Sequence, residues 1–142
     1  MKNPHVGFEI RTLSNLIRWK INKMVAEEEE TLTANQIWVL SFLVRCGDKE
    51  VVQRDIEKEF SIRRSTASHM LTLMENNGYI ERVLVPQDAR MKRIVLTEKG
   101  CEAQKRMTER LERFEGMLRD GITDEDLEYF REILKHFEKN IQ

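Results

Sequence analysis

The sequence of 142 residues predicts a mainly α-helical fold with a small β-wing, in which a winged helix-turn-helix is flanked by helices at both ends of the chain. Three patterns support this prediction. Two short helical segments meet at a tight turn between residues 52 and 78. Two runs rich in β-branched residues follow, separated by a segment that contains Pro and Asp. Long helical patterns with one apolar stripe occupy both ends of the chain.

The composition is typical of one globular domain of ordinary size. Hydrophobic residues make up 40% and charged residues 35% of the chain, which is enough apolar material for a core and too much for a disordered protein. Cys46 and Cys101 are too few and too far apart for a disulfide framework or a zinc finger. Because we find neither a secretory signal nor a membrane-spanning apolar run, we expect a cytoplasmic protein without membrane contact.

The first third of the chain predicts two helices. Apolar residues recur at spacings of three and four over residues 8 to about 30, which is typical of a helix with one buried face. Thr33 and Gln36 then form a capping-box pattern. This pattern starts a second helix, which ends near Gly47.

A helix-turn-helix is predicted in the middle of the chain. Apolar residues at positions 52, 56 and 60 are spaced by four, which indicates a short third helix. A turn at residues 61–63 leads into a fourth helix of about residues 64–77, and Gly78 follows where a left-handed cap is required. The buried side of this fourth helix is expected to comprise Ala67, Met70 or Leu71, and Met74.

A β-hairpin is predicted directly after the fourth helix, over about residues 80–96. The runs Glu81–Val85 and Lys92–Leu96 are rich in β-branched residues, and Pro86–Met91 separates them. Two such runs joined by Pro and Asp are typical of a hairpin. A hairpin at this place forms the wing, so the winged helix-turn-helix is predicted to span residues 33–97.

Two further helices are predicted in the last third. Thr97 caps a fifth helix that extends to about Asp120, and Thr123 caps a sixth. The winged part is too small to cover the apolar stripes of these helices and of the first helix. Residues 8–30 and 98–142 are therefore predicted to join two copies in a homodimer. The alternative is a monomer in which these helices pack on one another.

Three segments of this single predicted domain, residues 1–142, carry specific motifs. Residues 88–90 contain Asp-Ala-Arg at the predicted wing tip, and residues 96–100 contain Leu-Thr-Glu-Lys-Gly. Residues 77–82 contain Asn-Gly-Tyr-Ile-Glu-Arg after the fourth helix. These motifs, in this order of elements, resemble the MarR family of bacterial transcriptional regulators over nearly the whole chain.

The resemblance implies a winged helix-turn-helix DNA-binding domain that dimerises through helices from both termini. It implies a homodimeric repressor, less often an activator, that binds double-stranded DNA at a pseudo-palindromic operator. In many members a small phenolic or lipophilic effector releases the DNA, while others sense oxidants through cysteine, or metals.

The fourth helix, as the recognition helix, and the wing lie in the basic part of the chain. Residues 63–113 carry a net charge of +4 and residues 114–142 a net charge of −4, which is typical of a local polyanion-binding face. The first turns of a recognition helix enter the major groove. The residues expected to contact base edges and phosphates there are Ser65, Thr66, Ser68 and His69. A helix cap is an equal alternative for either Ser65 or Thr66, and solvent exposure alone is the alternative for His69.

Further DNA contacts are expected on both sides of these residues. Arg63 and Arg64 flank the helix start, where phosphate is the favoured ligand and guanine the alternative. Thr72 is expected to reach the DNA backbone farther along the helix. Arg82 is expected either to bind a phosphate or to brace the wing.

The wing is expected to reach the minor groove. Arg90 lies at its tip, and a guanidinium fits a narrow, electronegative groove. The resemblance implies that Asp88 holds Arg90 by a salt bridge; the alternative is a surface ion pair of little effect. Lys92 and Arg93 are expected to contact phosphates, which contributes affinity rather than specificity.

The resemblance places an effector cleft between the dimer helices and the winged part. The aromatic candidates for its lining are Trp19, Trp38 and Phe42, although packing in the core explains their spacing equally and is favoured. Cys46 and Cys101 do not occupy the early first-helix position of peroxide-sensing members, so redox sensing is not favoured, although the sequence leaves a redox role of either cysteine open.

The sequence indicates no enzyme, no cofactor and no metal site. It has no Gly-rich phosphate loop and no nucleophile elbow, and its three histidines show no metal-ligand spacing. The competing function is a winged-helix protein-interaction module of the anti-repressor type, without its own DNA specificity. The basic residues of the recognition helix and wing argue against that module.

Overall fold

The computed structural model describes residues 4–28 and 31–142, with the backbone alone at Ala89 and Arg90. Within these residues it contains six helices and one antiparallel hairpin, which confirms the predicted winged helix-turn-helix. The helices are α1 Val6–Glu27, α2 Ala34–Cys46, α3 Gln53–Phe60, α4 Arg64–Asn76, α5 Glu98–Arg119 and α6 Asp124–Ile141. The strands are β1 Ile80–Val85 and β2 Asp88–Leu96.

The start of α2 has the predicted capping box. The backbone N–H of Gln36 donates to Thr33 Oγ1 at 3.3 Å, and the N–H of Thr33 donates to Gln36 Oε1 at 3.0 Å. The N–H of Ala34 donates to Asn22 Oδ1 at 2.6 Å, which ties the start of α2 to α1. The predicted end of α1 near residue 30 lies outside the described residues; the helix ends at Glu27.

The helix-turn-helix consists of α3 and α4 joined by residues 61–63. The spacing of Val52 predicted that this residue begins α3, but the helix begins one residue later. The N–H of Val52 donates to Asp55 Oδ2 at 2.9 Å, and its backbone bridges to Arg93 of the wing. In the turn, Ser61 has a left-handed backbone with φ of +49°, a conformation that the sequence did not indicate because it usually selects glycine or asparagine.

The buried side of α4 carries the core of the winged part. Ala67, Leu71 and Met74 are completely buried, whereas Met70 is half-buried, so Leu71 fills the position that the sequence left open between them. Gly78 follows α4 with φ of +81°, as its predicted capping role requires. Tyr79, directly after it, is also buried.

The wing has a tighter turn than predicted. We expected Pro86–Met91 to separate the strands, but Pro86 and Gln87 alone form the turn, and β2 begins at Asp88. Leu84 pairs with Lys92, whereas the next residue of β1, Val85, pairs with Asp88. The register of the two strands therefore shifts at this point, and the extra residues of β2 form an irregularity in the strand. At its base the hairpin joins the helices, because Ile94 N–H donates to the carbonyl of Val51 at 2.7 Å.

Residues up to Arg110 form one compact unit, and Leu111–Gln142 form another. The second unit contains the end of α5 and all of α6. Thr123 caps α6 as predicted, accepting from the N–H of Asp126 at 3.1 Å. None of the residues of α6 is buried within the chain. No helix in the described residues is long and apolar enough to cross a membrane.

Candidate nucleic-acid interface

The outer side of α4 is polar and open. Thr66, His69 and Thr72 are exposed, and Ser68 is half-buried. Because the residues of the opposite side are buried, this polar side faces away from the core. Hydroxyl and imidazole groups on one helix face can donate to and accept from phosphates and base edges.

The structure at the start of α4 shows whether Ser65 or Thr66 caps the helix. Arg63 occupies the N-cap position with extended backbone, and within the described chain its side chain makes no capping hydrogen bond. Ser65 is therefore the second residue of the helix, and neither it nor Thr66 is the cap. The first N–H groups of α4, with Arg63 and Arg64 exposed beside them, form a region that favours an anion.

Arg82 joins the wing to the recognition helix. Its Nη2 donates to Thr72 Oγ1 at 2.7 Å, and its backbone N–H donates to Glu75 Oε2 at 3.2 Å. Its Nε lies 3.7 Å from Glu75 Oε1, and the side chain is only 19% exposed. This geometry corresponds to the bracing role, one of the two roles that we considered for Arg82.

Glu75 was absent from the residues that sequence reasoning selected. The available signal was the spacing of Thr72 and Glu75, which places their side chains on neighbouring turns of α4. Their meeting with Arg82 depends on how β1 folds back after Gly78, and this tertiary contact has no local signature.

On the wing, the predicted residues differ in their surroundings. Asp88 and Lys92 are exposed, while Arg93 is half-buried. The Nη1 atom of Arg93 lies 3.8 Å from Glu50 Oε1, so this guanidinium is partly neutralised by a carboxylate that precedes α3. The Arg90 side chain, and with it the expected Asp88–Arg90 ion pair, lies outside the described residues.

The end of α4 is attached to the start of α5. Thr97 Oγ1 donates to the carbonyl of Gly78 and accepts from the N–H of Gly100 at 3.0 Å. Lys99 donates to the carbonyl of Asn77, and its Nζ lies 4.5 Å from the centre of the Tyr79 ring. The recognition helix is thus connected to α5 through hydrogen bonds and a cation–π contact.

The aromatic candidates for an effector site are in different surroundings. Trp19 is 61% exposed, so it is not the core residue that we favoured. Trp38 and Phe42 are half-buried, and the Phe42 ring packs edge-on against Phe60 with centroids 5.9 Å apart. Phe42 also lines an open cleft of about 440 Å³ that includes Cys46.

Among the residues that the structure describes, no group of three or more His, Cys, Asp or Glu side chains could hold a metal ion. The polar groups described at the interface are hydroxyls, basic groups and backbone N–H groups. This set of donors is suited to phosphate oxygens and base edges.

Comparison with known proteins gives consistent results. Residues 30–91 match the sequence model of the MarR family. The chain is 27% identical over 135 residues to YwoH of Bacillus subtilis (strain 168), named an uncharacterized HTH-type transcriptional regulator, and the match covers 95% of both chains.

Solved structures share the fold over nearly the whole length. The transcription regulator MarR from Oenococcus oeni PSU-1 superposes with a TM-score of 0.80 at 27% identity, covering 95% of this chain and 99% of that one. MepR of S. aureus, solved as a complex with DNA, has a TM-score of 0.86 at 22% identity and covers 97% of each chain.

Proposed function

Since the chain belongs to the MarR family of DNA-binding transcriptional regulators, we propose that it acts as a homodimeric repressor. In this proposal the dimer binds a pseudo-palindromic operator, and a small lipophilic or phenolic effector releases it. The observation that carries the proposal is the open polar side of α4, which lies next to the wing and opposite a fully buried apolar side.

Each part of the interface has a separate role in the proposal. Ser65, Thr66, Ser68 and His69 contact base edges and phosphates in the major groove. Arg63 and Arg64 bind phosphate at the start of α4, where the backbone N–H groups also favour an anion. Lys92 and Arg93 bind phosphate from the wing, and Arg90, next to Asp88, enters the minor groove. MepR, a chain with the same fold, was solved in complex with DNA, which supports DNA as the ligand of this fold.

The apolar surface of the helices supports the homodimer. Six large apolar side chains of α1 are exposed, and α6 exposes Phe130 and, at 86%, Ile141. The exposed residues of α1 are Val6, Phe8, Ile10, Leu13, Leu16 and Trp19. Apolar area of this extent is unfavourable in water, and a symmetric pair of identical surfaces removes it. Sedimentation should then give twice the chain mass of 16.9 kDa.

The effector site is proposed at the cleft lined by Phe42. This cleft combines one aromatic ring with two lysines and with the carboxylates of Glu50, Asp55 and Glu59, which suits a neutral aromatic compound with a phenolic hydroxyl better than a carboxylate compound. A change in the affinity for DNA, measured by mobility shift on addition of simple phenols, would identify the effector class.

The decisive experiment is selection of bound sites from a random pool of duplex DNA. We expect enriched inverted half-sites about one helical turn apart, because two recognition helices of a symmetric dimer read the same face of the duplex. Enrichment of direct repeats, or of no site, would contradict the proposal. Binding to random duplex at two salt concentrations separates the protein-interaction alternative, which predicts almost no binding even at low salt.

A further inference from the structure

We propose that Arg82 and Glu75 are positioning residues that direct the Thr72 hydroxyl toward a DNA phosphate. This inference rests on the proposed function, because it requires that the open side of α4 faces DNA. It assigns the phosphate contact to a neutral hydroxyl and the guanidinium to a supporting role behind it. Glu75 then becomes part of the DNA-binding machinery without touching DNA.

The direction of the hydrogen bonds follows from the groups involved. A guanidinium has donors only, so Thr72 Oγ1 accepts from Arg82 Nη2 in their 2.7 Å contact. The hydroxyl proton of Thr72 is therefore available to another acceptor. In the described chain Thr72 makes no bond to the carbonyl four residues earlier. Thr108 in α5 illustrates that alternative, because its Oγ1 donates to the carbonyl of Gln104 at 2.8 Å.

The position of Thr72 suits a phosphate contact. It is exposed on α4, three residues after His69 and four after Ser68, so it continues the polar side toward the C-terminal end of the helix. A hydroxyl that accepts a charge-assisted bond becomes a better donor, because hydrogen bonds in a chain polarise one another. Arg82 thus strengthens the donor that Thr72 presents to solvent.

Glu75 holds Arg82 at two points, by the bond to its N–H and by the ion pair to Nε at 3.7 Å. The Nε atom is buried and has no hydrogen-bond partner in the described part of the chain. The charge of Glu75 therefore compensates the guanidinium through proximity rather than through a complete set of hydrogen bonds. Because the Arg82 side chain is only 19% exposed, it is poorly placed to meet a phosphate itself.

The experiment is a double-mutant cycle on DNA affinity, using the full-length chain, the selected operator duplex and a random duplex over a range of salt. We expect Thr72→Val and Arg82→Gln each to weaken binding to both duplexes by about 5- to 30-fold. The double variant should bind no more weakly than the worse single variant, because both changes remove one contact. The slope of log affinity against log salt should not change in either variant, since no phosphate-neutralising cation is lost.

Two further variants separate positioning from general effects. Glu75→Gln should weaken binding by about threefold or more, because a neutral partner holds Arg82 less firmly. Its control is Glu81→Gln, which removes the same charge from the exposed neighbour of Arg82 in β1 and should not weaken binding. Thr72→Ser should restore the affinity that Thr72→Val loses, and both changes at this exposed site leave the core intact.

Several outcomes would overturn the inference. A salt slope that falls by about 1 in Arg82→Gln would show that the guanidinium itself neutralises a phosphate. Additive losses in the cycle, or wild-type affinity in Thr72→Val, would show that the two residues act separately. If the wild-type chain binds with a steep salt slope while these results appear, the proposed function stands and this inference fails. If the wild-type chain binds neither duplex, the proposed function fails as well.

Discussion

Replacement of Gly100 by alanine tests the packing between the recognition helix and α5. Gly100 lies in the first turn of α5, and a Cβ atom there would approach the carbonyl oxygen of Tyr79 to less than 3.0 Å and Leu96 Cδ2 to 3.1 Å. The nearest obstacle is backbone, so no side-chain rotation relieves it. Overpacking of this kind costs about 1–3 kcal/mol, and the better helix propensity of alanine returns about 1 kcal/mol.

Gly116 provides a matched control in the same helix. A Cβ atom there meets nothing within 4 Å in the described part of the chain, so within one copy Gly116→Ala should gain about 1 kcal/mol of stability from helix propensity. Both substitutions change a glycine of α5 to alanine, so propensity cancels in the difference between them. That difference measures the close approach at Tyr79.

Thermal unfolding monitored by circular dichroism gives the comparison. For a chain of this length, 1 kcal/mol corresponds to roughly 2–4 °C in Tm. We expect Gly116→Ala to melt above the wild type by about this amount and Gly100→Ala to melt below Gly116→Ala by roughly 2–12 °C, from a difference of 1–3 kcal/mol. Equal Tm values for the two variants would refute the reasoning.

Three further predictions concern DNA binding. Arg90→Ala should weaken operator binding by about 1–3 kcal/mol, and unchanged affinity of the folded variant in a mobility-shift titration would contradict the role of the wing. Ser68→Ala combined with His69→Ala should relax sequence preference more than it weakens non-specific binding; an equal loss on operator and random duplex would contradict base contacts. Glu50→Gln should raise affinity for random duplex by about two- to fivefold in fluorescence anisotropy, because an exposed ion pair worth up to about 1 kcal/mol no longer competes with phosphate for Arg93. Unchanged or weaker binding of this variant would show that Arg93 does not meet DNA.

The elements with local signals were predictable from the sequence. Thr33 and Thr123 cap their helices by bonds to N–H groups three residues ahead, and such bonds depend only on the residues that form them. Gly78 has the left-handed conformation that its place after a helical pattern indicates. These features are short in range, so a single sequence contains the information that determines them.

The features that the sequence did not reveal depend on contacts between elements. β2 starts at Asp88 instead of Lys92, because pairing with β1 continues up to the two-residue turn and its register shifts on the way. Polar residues in an irregular strand segment have no alternating pattern, so this part resembled a loop. The contact of Arg82 with Thr72 and Glu75 likewise requires knowing how β1 returns to α4.

The aromatic residues show the same limit of prediction from a single sequence. Trp19, Trp38 and Phe42 have spacings that fit a core, yet Trp19 is exposed on α1 with Lys23 Nζ 5.4 Å from its ring. A periodic pattern identifies which side of a helix is apolar. It does not distinguish a side that packs within the chain from one that a second copy covers, because the stripe looks the same in both cases.

The attachment of α4 to α5 gives regulation a physical route. Thr97, Lys99 and Gly100 at the start of α5 contact the backbone or ring of residues 77–79 at the end of α4. A shift of the α5 start therefore moves the recognition helix rather than deforming the junction, since a close-packed backbone contact does not compress. In the proposed homodimer, with α5 among the helices that join the two copies, the separation of the two recognition helices would follow the position of α5. The proposed effector would then lower operator affinity by favouring a separation that no longer matches one helical turn of DNA.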